Sequence, residues 1–252
     1  MSRWRALALA AAVAGCGGGD GASVPPPDTG SGTAIPAART GDHSSSIAVT
    51  ADGGTIYVVN PEADSVSVLD PASRRLVAEI PLGAGHVAPA SDGSFTPAIL
   101  PRALALSADG ARLYVTGQRS GAVYAIDTAS GTVTGSVAVG SEPAGVAVTA
   151  DGRTVYVACT QDATVAVVDA ASWKVTARIA VPAAPWGLAW SPTDDALLVS
   201  QFFGDGVTAI DPATHGVRAT WALPAVAARG DRTLAHGEVR GVYDLVRRPA
   251  TD

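Results

Sequence analysis

The chain has 252 residues, 47% hydrophobic and 16% charged, enough apolar material for one large domain or two small ones. Phe, Tyr and Trp supply only 5%, so Ala, Val and Gly carry the composition, which suits thin, closely stacked sheets. The formal net charge is -6 and the pI is near 5.1; with no Lys/Arg-rich stripe, nothing points to a nucleic-acid partner.

The N-terminus opens with Arg3 and Arg5, followed by a short apolar run from Leu7 to Val13 and then Ala14, Gly15 and Cys16. A basic start, a short apolar stretch and small residues before a cut site predict a secretory signal peptide over residues 1–15. The run is far below the ~20 apolar residues of a spanning helix. Val13-Ala14-Gly15-Cys16 resembles the lipobox of bacterial lipoproteins, with Val13 where Leu is usual. That resemblance implies that Cys16 is diacylated and becomes the mature N-terminus, and two or more acyl chains anchor stably where one does not. The expected location is therefore the cell envelope, exported and lipid-anchored, with the membrane as a partner through Cys16. Residues 16–42 are dominated by Gly, Pro, Ser and Thr and read as a flexible tether.

From residue 43 the chain repeats itself. Asp70, Asp127, Asp169 and Asp211 each close an apolar segment and lie 57, 42 and 42 residues apart. Tyr57-Val58, Tyr114-Val115, Tyr156-Val157 and Leu198-Val199 keep the same intervals. Two marks with one spacing predict a repeated unit, with an insertion over residues 84–98. Each unit reads as four strands. The first holds Ile47, Leu104, Val146 or Leu188, and Asp-Gly at 52–53, 109–110 and 151–152 marks a hairpin after it. The second carries the Tyr-Val pair, the third ends at the Asp, and an Asp-initiated turn leads to the fourth. In the fourth strand the apolar residues Leu76, Val133, Val175 and Val217 alternate with mostly polar ones, which predicts one wet face and a protected outer edge. The expected units are 43–83, 99–140, 141–182 and 183–224.

A four-stranded antiparallel unit of about 42 residues, repeated, is the pattern of a β-propeller, an all-β fold. The segments Thr55-Ile-Tyr-Val-Val-Asn60, Arg112-Leu-Tyr-Val-Thr-Gly117 and Thr154-Val-Tyr-Val-Ala-Cys159 resemble the motif of the YVTN-repeat propellers, within the lactonase-like superfamily; the fourth copy lacks the Tyr. Trp-Asp pairs are absent, which sets WD repeats aside. A partial fifth unit is expected at residues 241–252. The family closes with about seven blades, so the expectation is a seven-bladed ring left incomplete by a shortened chain; closure with four blades or by pairing with another chain is the alternative.

In such a propeller the loops after the second and fourth strands surround the channel mouth. Loops on a rigid scaffold are where function usually sits. Arg102, Trp186 and Arg240 precede first strands there, and an Arg-aromatic-Arg ring would hold an anionic ligand. His86 and His236 fall in the two long insertions, but no second ligand stands at metal spacing, so no metal is expected. Phe202, beside Phe203, is a candidate contact residue, and Cys159 reads as a small buried residue. No Ser-His elbow, Gly-rich phosphate loop or Cys-x-x-Cys-His haem site appears, so no cofactor is expected. Three functions follow as expectations. The first is a non-catalytic envelope scaffold binding a protein or small molecule at the mouth. The second is a lactonase-like hydrolase, and the third is the propeller part of a longer cytochrome c-type redox protein.

Overall fold

A computed structural model describes residues 45–83, 96–191, 195–203 and 206–222. The signal segment, Cys16, the tether, His86, His236, Arg240 and the partial fifth unit lie outside the described residues.

Among the described residues the structure is all β, with no helix. The first sheet holds β1 (Ile47–Val49), β2 (Ile56–Asn60), β3 (Ser65–Asp70) and β4 (Arg75–Pro81). The second holds β5 (Pro101–Leu106), β6 (Arg112–Gly117), β7 (Ala122–Asp127) and β8 (Thr132–Ala138). The third holds β9 (Pro143–Val148), β10 (Thr154–Cys159), β11 (Thr164–Asp169) and β12 (Lys174–Ala180). The fourth holds β13 (Pro185–Ser191), β14 (Ala196–Gln201), β15 (Gly206–Ile210) and β16 (Val217–Ala222). Each sheet is antiparallel with its strands in chain order, and each is one propeller blade. Register repeats too: Tyr57 faces Val68, Tyr114 faces Ala125 and Tyr156 faces Val167.

The turns are built by the residues that repeat. Gly53, Gly110 and Gly152 take φ near +70°, which is why glycine follows each aspartate. The Thr50, Ser107 and Thr149 hydroxyls each donate to the next Asp carboxylate at 2.6 Å. Those carboxylates also accept backbone N–H groups from Gly54, Ala111 and Arg153, so each hairpin is tied by its own side chains. At the outer turns Asp70, Asp127, Asp169 and Asp211 accept backbone N–H groups in the same way. These bonds favour the ionised form. Hydrogen bonds from Ser73 and Ala72 hold Asp70 below the usual carboxylate range, as do those from the Ser130 backbone and hydroxyl for Asp127.

The blades stack like a fan. Inner strands β1, β5, β9 and β13 lie against one another, while outer strands barely touch the next blade. Three apolar cores fill the three gaps. Tyr57, Val66 and Ile80 of the first blade meet Leu104, Leu113 and Ile126 of the second. Tyr114 and Val123 meet Val146, Val155 and Val168 of the third. Tyr156, Val165 and Ile179 meet Leu188, Leu197 and Ile210 of the fourth. An outer-turn residue adds to this: Trp173 of the third blade stacks on Tyr114 of the second (5.9 Å, 25°), and His215 of the fourth meets Tyr156 edge-on.

The fourth strands correct one expectation. Each is bulged just after its first apolar residue, with register shifts between Val68 and Leu69, Ala125 and Ile126, Val167 and Val168, and Ala209 and Ile210. A bulge places two residues opposite one and reverses which face the following residues present. Val133 therefore packs with the first two blades while Val137 packs with the third. Likewise Val175 serves the core on one side of its blade, and Ala177 and Ile179 the core on the other. The even spacing does not mark one dry face; it divides apolar side chains between both neighbours.

Candidate functional site

The inner strands begin with a break in their ladders. Pairing skips from Pro101 to Leu104 in β5 and from Pro185 to Leu188 in β13. Arg102 and Trp186 occupy those breaks, and bulges commonly re-aim side chains near binding sites. Buried hydroxyls complete the interrupted bonding. Thr116 accepts from the Ala103 N–H at 3.1 Å and donates to the Ala144 carbonyl at 2.7 Å, joining the second blade to the third. Ser200 accepts from the Gly187 N–H at 2.9 Å. Thr160 donates across to the Pro185 carbonyl at 2.9 Å, joining the third blade to the fourth. Between the first two blades the Leu104 N–H donates to the Ser45 carbonyl at 2.7 Å.

Ser45, Arg102, Ala144 and Trp186 are the same position of successive units, 57, 42 and 42 residues apart. All four line a cavity of about 320 Å³, together with Ser46, Ala103 and Gly145 from the next position. Small residues there let the inner strands crowd together. Ala144, from the intervening blade, is too short to separate Arg102 from Trp186. The Arg102 guanidinium lies over the Trp186 ring, 4.7 Å from its centroid. Trp186 in turn packs on Phe202, with ring centroids 4.5 Å apart and tilted by 37°. Phe203 meets Phe202 edge-on at 4.6 Å and is itself 74% exposed.

Three of the residues singled out from sequence, Arg102, Trp186 and Phe202, are thus brought together at one end of the inner strands. Arg240, His86 and His236 lie outside the described residues. Sequence reasoning missed Ser45, although it stands one repeat before Arg102 and the spacing alone would have pointed to it. It also missed Asp64, which takes φ +49° in the loop after β2. Its carboxylate accepts backbone N–H groups from Ala98 (2.6 Å), Ile99 (3.1 Å) and Leu100 (2.8 Å), fastening the end of the 84–98 insertion to the first blade. No repeat mark could have revealed Asp64, because its counterpart one unit on is Gly121.

The other chemical candidates are structural. Cys159 is fully buried, and its Sγ lies 3.5 Å from the Val139 carbonyl, to which Arg178 also donates. Burial pushes its thiol up to about 11, with Asp162 adding to the shift, so no thiolate forms near neutrality. Burial, with Asp211 next, likewise raises the Tyr156 phenol to about 12. Among the described residues no three His, Cys, Asp or Glu side chains gather as a metal site. Among the described residues lining the 320 Å³ cavity there is no carboxylate or imidazole.

With this geometry in view, the chain is similar to two propeller family models. A YNCE-like beta-propeller model matches residues 144–223, and a lactonase, 7-bladed beta-propeller model matches residues 28–146. Comparison with curated proteins gives no match. Among solved structures, hydrazine synthase of Kuenenia stuttgartiensis is 22% identical with a TM-score of 0.60, over 77% of this chain and 52% of that one. Virginiamycin B lyase of Staphylococcus aureus is 16% identical with a TM-score of 0.57, over 73% of this chain and 56% of that one. A chain of the mitotic checkpoint complex is 20% identical with a TM-score of 0.55, over 71% of this chain and 51% of that one. The chain spans about half the length of these structures. Four repeated antiparallel sheets, two propeller family models and propeller-like neighbours together establish that this chain has the β-propeller fold.

Proposed function

We propose that this chain is a non-catalytic binding scaffold of the bacterial cell envelope, a YVTN-repeat propeller held to the membrane by acyl chains on Cys16. It presents the mouth end of its inner strands to a small molecule or a protein. The observation that carries the binding role is the convergence of Arg102 and Trp186 on one cavity, with Phe202 packed on the Trp186 ring. The described lining offers no carboxylate or imidazole to activate the Ser45 or Ser46 hydroxyl, so the cavity is equipped to hold a ligand rather than to turn one over. The anchor rests on the Val13-Ala14-Gly15-Cys16 sequence. Metabolic labelling with a fatty acid tests it: the wild-type chain takes up label and sediments with membranes, and Cys16→Ser loses both. An unlabelled wild-type chain in the soluble fraction overturns the anchored reading.

A lactonase-like hydrolase is the second reading, favoured by the lactonase model's match over residues 28–146. Assay of the mature chain on simple lactones separates the two. The scaffold reading expects no turnover; turnover abolished by Arg102→Ala and Trp186→Ala would replace it with a hydrolase acting at this mouth.

A further inference from the structure

Among the described residues, the lining of the cavity at the mouth carries one formal charge and no counter-charge. Of its lining residues, Ser45, Ser46, Val58, Val59, Pro61, Ala103, Ala144, Gly145 and Trp186 are neutral, and Arg102 alone is ionised. Three other arginines find acceptors: Arg119 donates to the Pro97 carbonyl, Arg178 to the Val139 carbonyl, and Arg218 pairs with Asp211 at 2.9 Å. Arg102 makes no hydrogen bond or ion pair with a described residue; its contact is the Trp186 ring beneath it. The contact with the ring limits the rotation of the guanidinium, whose N–H groups form a fork that matches an oxyanion with two parallel bonds. Val58, Val59, Pro61, Ala103 and Ala144 supply apolar wall in the same cavity. A volume of about 320 Å³ stands at the small end of the range for small-molecule pockets, ~300–1,000 Å³.

We infer that the Arg102 cavity binds a compact organic acid, its carboxylate or phosphate head on the Arg102 fork and its apolar body against the Val58–Pro61 wall. This deepens the binding role proposed above and rests on it. Trp186 is a positioning residue: it holds the guanidinium in place so that little rotamer freedom remains to be lost when the anion arrives.

Calorimetric titration of the full mature chain with three probes of equal tail length tests this: hexanoate, hexyl phosphate and the neutral hexanamide. At least one anion is expected to bind ten times or more as tightly as hexanamide, and the tighter anion identifies the head group. Arg102→Gln is expected to erase that preference, Arg102→Lys to weaken it several-fold because a point charge replaces the fork, and added salt to reduce it. Arg102 is exposed, so an unchanged Tm in Arg102→Gln is the check that folding is intact. If that variant melts early, Trp186→Phe is used instead, with a several-fold loss of anion affinity expected. Equal binding of hexanamide and the anions overturns the acid specificity, as does a preference that survives Arg102→Gln. If such indifferent binding vanishes in Trp186→Ala, the mouth still binds ligands and only the acid specificity fails. If no probe binds at all, the inference and the small-molecule form of the scaffold reading fall together.

Discussion

The side of the second blade turned towards the first, and the side of the first blade turned away from it, carry nearly the same residues in opposite circumstances. Leu104, Leu106, Leu113, Val115 and Ile126 are completely buried against the first blade. Their counterparts one unit earlier are Ile47, Val49, Ile56, Val58 and Leu69, equally apolar, yet Ile47 is 46% and Val49 44% exposed. Leu76 follows the same rule: it is 56% exposed where Val133 packs into a core. A blade's sequence prepares both of its faces for burial, but only a neighbouring blade accomplishes it. A four-stranded sheet one layer thick cannot cover its own sides.

The largest contrast is therefore expected between Leu104→Ala and Ile47→Ala. The first opens a cavity in a filled core and is expected to cost ~2–5 kcal/mol; the second is expected to cost less than ~1 kcal/mol. Chemical denaturation of both variants checks this, and equal losses would mean that the outer face of the first blade is covered in solution. A smaller effect separates the two kinds of seam between blades. Thr116→Val leaves the Ala103 N–H and the Ala144 carbonyl without the hydroxyl that serves both, at an expected cost of ~1–3 kcal/mol. Between the first two blades the side-chain tie is instead the Asp64 carboxylate, which accepts from the Ile99 and Leu100 N–H groups. Asp64→Ala is expected to cost ~1–2 kcal/mol, since its three accepted N–H groups are only partly shielded from water. Hydrogen exchange would locate the effect: the Ile99 and Leu100 amides should exchange faster while that of Leu104 stays protected.

The smallest effect is expected from pH. Hydrogen bonds lower the carboxyl groups of Asp52, Asp70, Asp109, Asp127, Asp151, Asp169 and Asp211 below their ordinary value. A folded-state value below the unfolded one means that the turns stabilise fully above the unfolded pKa of ~3.9. That contribution is lost as pH falls through the depressed folded values. Tm should thus be flat near neutrality and decline below about pH 4. Asp109→Asn, which keeps an acceptor but cannot ionise, should make the decline shallower. A Tm that rises on acidification would contradict the assignment.

Much of this was readable in advance because the chain repeats. The aspartates 57, 42 and 42 residues apart fixed the third strands, and Asp-Gly fixed the hairpins to within a residue. The bulges were not readable. Val133, Gly135 and Val137 alternate with polar residues just as they would in an unbroken strand, and only pairing reveals that Val133 faces one neighbour and Val137 the other. At the site, Arg102 and Trp186 were legible as occupants of one repeat position. Their contact was not, because it depends on two ladder breaks and on the shortness of Ala144 between them.

The sequence by itself determined the unit: local turn chemistry and period-two patterning act within some forty residues, and they yield the same four strands each time. Only the tertiary structure decided which apolar faces are dry and which cation meets which ring. Those are relations between residues of different blades, and no signal within one unit encodes how the next is placed against it.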